Sequence, residues 1–271
     1  MVFVISEINK IKSISNPKIK YIKSLLLRKN RNLTGLFIAE GERTCREAIE
    51  HKWNPKYLIY SNEKNQTINF NDLIFECKKN NGLVLNVTTK IIGKISKKDN
   101  PQTILGVFEQ KIFNKEHLID DGSIAWLAID RVRDPGNLGT IFRTCNATGI
   151  KKVILIGNCC DPFSPECVRA SMGAIFSIKI LCISLDDFLI WTNQRKNKLI
   201  VTSLKASKFY TECNWGEKPI LVMGNEQSGV SKEIESSAEE LIKLPMMGTS
   251  DSLNLSVSTG IFLYEILKTK K

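Results

Sequence analysis

Ser250, Asp251, Ser252, Asn254 and Ser256 crowd into one part of the stretch LPMMGTSDSLNLSVSTGIFLYEIL, residues 244–267. Short side chains of this kind accept hydrogen bonds from the free N–H groups of a helix's first turn. A cap needs one or two of them, and the surplus suits a polar ligand held beside the positive end of a helix dipole. Leu253, Val257 and Ile261 recur every four residues, which predicts a helix with that face buried. Two further strand ends concentrate similar chemistry. In DRVRDPGNLGTIFRTCNATG (130–149), Asp130 closes an apolar run, Pro135 and Gly136 make a turn, and Asn137 can cap a helix that carries Arg143. In LVMGNEQSG (221–229), Gly224 ends a strand, Glu226 rides on the loop and Gly229 closes it. Each stretch also has an ordinary structural reading, as a cap, a strand–turn–helix junction or a capping carboxylate. Brought together, they would form a site with glycine-lined walls, one arginine, one glutamate and several neutral hydrogen-bonding groups. Such a site suits a small molecule meeting an anionic polymer.

Several chemistries are excluded. No two glycines are spaced G-x-G, and no G-x-x-x-x-G-K-[ST] occurs, so neither the dinucleotide fingerprint nor a P-loop is present. His51 and His117 are the only histidines and fall outside the three stretches, which argues against histidine general-base catalysis. Cys145 lies in the first stretch without a histidine nearby in sequence to activate it, and a core thiol is the expected reading. The eight cysteines contain no C-x-x-C pair, which argues against a structural zinc site. The N-terminus lacks the long apolar core of an export signal, so reduced thiols and a cytoplasmic location are expected. No apolar run is long enough to suggest a membrane span.

The elements that must position these loops fall into two series. Residues 17–28 place Ile19, Ile22, Leu25 and Leu26 on one helical face behind Pro17. Strands are expected at 36–41, 57–61, 83–87 and 104–109, with helices at roughly 42–51 and over NDLIFECKKN. The run KIFNKEHLIDDGS (111–123) is polar and unpatterned and is read as a connection, giving domains at 1–112 and 124–271 with a linker at 113–123. Beyond it, apolar runs at 124–130, 152–157, 178–183, 198–204 and 219–224 alternate with helical patterns. That alternation predicts a buried parallel sheet with helices on both faces. Ligands bind beyond the carboxyl ends of such strands, so the loops starting at 130, 157 and 224 are the ones to inspect. Charge is divided unequally as well. Residues 1–115 hold 21 Lys+Arg against 10 Asp+Glu, whereas residues 116–271 hold 18 of each. A basic first part beside a neutral second part points to a polyanion partner, nucleic acid first.

Taken together, the three stretches resemble the three signature motifs of the SpoU (TrmH-type) RNA 2′-O-ribose methyltransferases of the SPOUT superfamily. Asn137, Gly139, Arg143, Ala147 and Gly149 match the first motif; Gly224, Asn225, Glu226 and Gly229 match the second. Pro245, Met246, Gly248, Ser252, Leu253, Asn254, Ser256, Tyr264 and Glu265 match the third. The segment FIAEGERTCREAI (37–49) resembles, less specifically, the family's ribosomal-protein-like substrate-binding domain. Departures are confined to small-residue positions, at Cys145, Gln227 and Ser258. The resemblance implies an α/β fold: a C-terminal parallel-sheet domain with a deep trefoil knot, preceded by a smaller α/β RNA-binding domain. It also implies S-adenosylmethionine as cofactor, a homodimer with the site near the subunit interface, and methyl transfer to a ribose 2′-OH. Ribosomal RNA is the favoured substrate over transfer RNA, and a non-catalytic RNA-binding protein of the same fold is the other alternative. The residues implied in catalysis are Arg143, Asn137, Glu226, Ser252 and Asn254. Those implied in cofactor binding are Gly224, Asn225, Leu244, Met246, Gly248 and Leu253. Arginine stays protonated in proteins, so Arg143 is expected to grip the phosphate beside the target ribose.

Overall fold

The computed structural model describes residues 9–63, 70–96, 100–118 and 122–270. The chain forms two compact units, Met1–Gln110 together with Phe163–Arg169, and Lys111–Pro162 together with Ala170–Lys271.

In the first unit, Asn16 caps α1 (Pro17–Ser24) by accepting from the Lys18 N–H, with Pro17 at the first helical position. The continuous helix expected over 17–28 stops at Ser24, and a second helix, α2 (Arg28–Thr34), follows. The cause is Arg31, whose buried guanidinium reaches back to the carbonyls of Leu25 and Leu26, 2.9 Å from each, and holds the chain in an elbow. Gly35, at φ +66°, ends α2. The chain continues through β1 (Leu36–Glu40), α3 (Glu42–Glu50), β2 (Tyr57–Tyr60), α4 (Asn71–Lys79), β3 (Leu83–Asn86), α5 (Thr89–Ser96) and β4 (Ile104–Glu109). The sheet order is β1-β4-β2-β3, with β4 antiparallel to both neighbours. Intrinsic propensity in TKIIGKIS is weak for a helix, since it carries a glycine and three isoleucines, although the isoleucines fall on one helical face. Burial of Ile91, Ile92 and Ile95 against Ile59 and Leu105 overrides that propensity and forms α5.

The second unit is built on eight strands, all paired in parallel: β5 (Ile112–Phe113), β6 (Trp126–Asp130), β7 (Lys152–Ile156), β8 (Lys179–Ile183), β9 (Leu199–Thr202), β10 (Lys208–Phe209), β11 (Ile220–Met223) and β12 (Glu240–Lys243). Its helices are α6 (Pro135–Thr148), α8 (Leu185–Asn193), α9 (Lys232–Ser237) and α10 (Leu255–Lys268), while α7 (Pro165–Ala170) belongs to the first unit except for its last residue. Strands β6, β7 and β11 are buried throughout, as expected of a sheet covered on both faces. The run 111–123, read from sequence as unpatterned, supplies β5, which pairs with β8 at the sheet edge, and a short 3-10 turn at Lys115–His117. Strand order is β10-β12-β9-β11-β6-β7-β8-β5. The chain therefore leaves β11, crosses past β9 to lay down β12, and returns so that α10 packs against α6.

The expected buried face of α10 is the opposite one. Leu255, Thr259, Phe262, Leu263 and Ile266 are buried, whereas Leu253 is exposed, Val257 is 51% exposed, Tyr264 is 54% exposed and Ile261 is only partly covered. Both stripes have helical spacing, so the helix is apolar around most of its circumference and periodicity could not choose between them.

Candidate active site

The turn after β11 is shaped by backbone contact. A methyl group added at Gly224 would lie 2.4 Å from the Gly229 carbonyl carbon and 2.5 Å from the Val230 nitrogen, so only glycine fits. Gly229, at φ +64°, completes the return, and Asn225 and Gly229 exchange backbone hydrogen bonds at 2.9 and 3.0 Å. The Asn225 side chain fills the turn, accepting from the Gln227 and Ser228 N–H groups and donating to the Arg131 carbonyl at 2.7 Å. Buried Asp130, at the end of β6, receives the Ser231 N–H at 2.7 Å and the Arg131 guanidinium at 3.0 Å. The loops after β6 and β11 are thereby fixed to one another.

A chain of side-chain hydrogen bonds then joins all three motifs. Glu226 accepts from the backbone N–H groups of Arg133 (3.2 Å) and Asp134 (3.3 Å) and from the Asn137 amide (3.3 Å). The Asn137 backbone N–H donates to Asp134, the cap of α6, at 2.6 Å. Its side-chain oxygen accepts from the Asn254 amide at 2.8 Å. Asn254 caps α10, accepting from Ser256 N–H and hydroxyl at 2.9 and 2.6 Å and from Val257 N–H at 3.4 Å. Three polar residues from distant parts of the sequence thus share one network, in which each amide's orientation is set by its neighbours. The N-termini of two 14-residue helices, α6 and α10, meet there and present their positive dipole ends.

Beside this network lies a cavity of about 610 Å³, within the range of small-molecule sites. Asn137, Gly224, Asn225, Glu226, Leu244, Met246, Ser252, Leu253 and Asn254 line it, which places nine of the sequence-derived site residues around one space. Arg143 and Gly248 are not among its lining residues. Arg143 is exposed on α6 and, among the described residues, has no hydrogen-bond or ion-pair partner. The loop starting at 157 does not reach the cavity either; the loop after β9 does, through Ser203, Leu204 and Lys205. Sequence reading missed that loop because TSLK carries no glycine and no unusual polar density. It also missed Glu235 at the start of α9, whose carboxylate accepts from Ser203 at 2.5 Å and is held below its ordinary value by that bond. Ile242 and Phe262 complete the apolar side.

The thiols take no part. Cys145 is fully buried within α6, and burial pushes its thiol far above the ordinary value. Burial also raises Cys159 to about 11 and Cys160 to about 12. All eight cysteines are free. Among the described residues no cluster suits a metal ion, and no helix is long and apolar enough to cross a membrane.

A parallel α/β sheet whose cavity is built from the loops after β6, β9, β11 and β12, with a separate basic α/β unit before it, fits the class that the three motifs resemble, methylases of the SPOUT type. The particular family follows from comparison. The chain belongs to the SpoU rRNA methylase family, which matches residues 125–264, and an MRM3-like substrate binding domain matches residues 16–106. The solved structure of an S-adenosylmethionine-bound rRNA methyltransferase from Sinorhizobium meliloti superposes with a TM-score of 0.90 at 37% identity, covering 97% of this chain and 98% of that one. An RNA 2′-O ribose methyltransferase of known structure gives 0.79 at 27% identity, over 97% and 99% of the two chains. The 23S rRNA (guanosine(2553)-2′-O)-methyltransferase RlmP of Bacillus subtilis is 27% identical over 256 residues, 94% of this chain and 98% of that protein.

Proposed function

We infer that the cavity beside the Glu226–Asn137–Asn254 network is where this S-adenosylmethionine-dependent ribosomal RNA 2′-O-methyltransferase holds its cofactor and receives the target ribose. The observation that carries this reading is the network itself, which ties the three motif loops into one wall of a cofactor-sized cavity. The residues present fit S-adenosylmethionine. Met223, Ile242, Leu244, Met246, Leu253 and Phe262 offer an apolar slot for an adenine ring. Residues 245–253 make no hydrogen bond among the described residues, so their backbone donors and acceptors are open to the ring's polar edge. When bound, the cofactor supplies an electrophilic methyl group on its sulfonium.

The chain's own residues do the positioning. Glu226 spends its oxygens on Arg133, Asp134 and Asn137, so it holds loops in place. Asn137 and Asn254 transmit that constraint to the start of α10 and set where Ser252 and the incoming ribose meet the cavity. Pre-setting this geometry supplies much of the rate of an in-line transfer. Arg143, exposed and unengaged, anchors the phosphate beside the target ribose and steadies the developing alkoxide; its permanent charge suits that role and not proton abstraction.

Two further features of the reading concern assembly and topology. The uncovered stripe of Val257, Ile261 and Tyr264 on α10 suits a second copy of this chain, in a homodimer that covers it. The return of the chain past β9 to β12 and α10 is consistent with the trefoil knot that the family resemblance implies. Eight free thiols accord with a reducing, cytoplasmic setting.

The test is transfer of labelled methyl from S-adenosylmethionine to unmodified ribosomal RNA, followed by alkaline hydrolysis. Label in an alkali-resistant dinucleotide is expected. Label in mononucleotides would mean base methylation and would overturn the site assignment.

A further inference from the structure

The basic excess is more concentrated than a division into two halves reveals. Residues 9–39 contain eight Lys+Arg and not one Asp or Glu. That segment is the elbow of α1 and α2 with its flanks. Ile19, Ile22 and Leu25 bury one side of the elbow in the core of the first unit. The other side is left with Lys18, Lys20, Tyr21, Lys23, Arg28 and Lys29, all exposed.

Three observations distinguish this surface from an ordinary solvated helix face. First, no acid lies along this segment, whereas elsewhere in the first unit several cations have acidic partners, Arg46 with Glu42 and Asp72, Lys56 with Glu109, and Lys79 with Glu76, beside others such as Lys78, Lys90 and Lys94 that have none among the described residues. The exposed cations of the elbow have none among the described residues. Secondly, large apolar side chains stand among them, Leu27 at 60% and Leu33 at 81% exposure, with the Tyr21 ring beside that of Tyr57 at 6.2 Å. Thirdly, the elbow is braced from within. Arg31 is locked to the carbonyls of Leu25 and Leu26, Asn30 donates to the Ser24 carbonyl at 2.9 Å, and Gln110 ties the Arg31 carbonyl to the end of the sheet at 3.2 Å. A rigid surface of unpaired cations interleaved with apolar and aromatic groups matches the demands of a nucleic acid, whose phosphates need charge and whose unstacked bases need flat apolar partners.

We propose that the α1–α2 elbow is the principal RNA-docking surface of this protein, gripping substrate phosphates through Lys18, Lys20, Lys23, Arg28 and Lys29 and packing an unstacked base against Tyr21 and Leu27. The proposal rests on the reading of the substrate as RNA and adds where the RNA is held. The elbow acts on substrate capture, leaving cofactor binding and the transfer step to the second unit.

The experiment compares two fourfold variants of the full chain, each losing the same charge. One carries Lys18→Ala, Lys20→Ala, Lys23→Ala and Lys29→Ala on the elbow. The other carries Lys78→Ala, Lys79→Ala, Lys90→Ala and Lys94→Ala, exposed on the same unit. Affinity for an unmodified ribosomal RNA transcript is measured across salt concentration, with KM, kcat and S-adenosylmethionine binding measured in parallel. In the elbow variant the slope of log affinity against log salt should become shallower by about 3, at roughly 0.7–0.9 per lost phosphate contact. Its KM for RNA should rise, while kcat at saturating RNA and cofactor affinity persist. Tyr21→Ala should weaken binding about 5- to 100-fold, the range of a lost base stack, without changing the slope. Equal loss in both fourfold variants would mean diffuse attraction and overturn the elbow's special role, as would an unchanged slope in the elbow variant. Wild-type protein that binds cofactor yet shows no affinity for RNA would overturn the substrate reading itself, a separate outcome.

Discussion

Two walls of one cavity are built on opposite principles. The wall made by the loops after β6 and β11 and closed by Asn254 at the start of α10 is dense with hydrogen bonds: Asp130, Asn225, Glu226, Asn137 and Asn254 each hold at least two partners. The segment 245–253 contributes Met246, Asp251, Ser252 and Leu253 to the same space, yet makes no hydrogen bond among the described residues. A bonded wall has its shape before any ligand arrives. An unbonded one has backbone groups that only water or a ligand can satisfy, and it belongs to the low-stability end of the molecule. On the proposed function the contrast amounts to a division of labour: the first wall would set geometry for transfer, and the second would read the cofactor by closing its own open hydrogen bonds on it.

Several experiments would break or sharpen that contrast. The largest effect is expected at Gly224→Ala, where the new methyl group has no room against Gly229 and Val230; cofactor binding measured by calorimetry should be lost. Glu226→Ala should come next, lowering kcat about 10²-fold through misplacement of the α6 start while leaving cofactor affinity largely intact. Asn137→Ala should cost a similar factor, and the double variant should cost little more than either, because both belong to one network. Fully additive losses would mean the network does not act as a unit. Arg143→Ala should keep S-adenosylmethionine binding and lose turnover on RNA; near-normal turnover would remove Arg143 from the reaction. Hydrogen exchange gives a more graded contrast. Amides of 245–253 should gain protection on adding S-adenosylmethionine, whereas those of Asn225 to Gly229 should change little. Least affected should be thiol chemistry. Folded-state values near 11 and 12 for Cys159 and Cys160 keep both groups protonated from pH 7 to 9, so thiol alkylation in that window should be slow and leave methyl transfer unchanged.

How much of this could be read without coordinates differed from element to element. Apolar runs announced β6, β7, β8, β9 and β11, because strands in the interior of a covered sheet are apolar along most of their length. ELIK, a half-polar run, did not announce β12; that strand exists because β9 and β10 flank it and Lys198 and Lys208 pair with Glu240. The three motif loops were legible because each packs glycines and hydrogen-bonding side chains beside an apolar run. Their link through Glu226, Asn137 and Asn254 was not, since the amides of residues 137 and 254 meet only after the chain has crossed past β9. Arg143 illustrates the reverse: its residue type and motif position were plain, but the helix carries it to the surface, outside the cavity lining.

By itself, then, the sequence determined the alternation of elements, the charge asymmetry, the exclusion of P-loop and dinucleotide chemistry, and the residue types of the site. These are local properties, set by periodicity, steric permissiveness at glycine and the count of charges. Tertiary structure alone decided which face of α10 is buried, that the loop after β9 joins the cavity while the loop after β7 does not, and that Arg31 folds the basic N-terminal segment into a braced elbow. Each of those depends on which distant surfaces meet, and a pattern that repeats on two faces of a helix holds no information about which one its partner will cover.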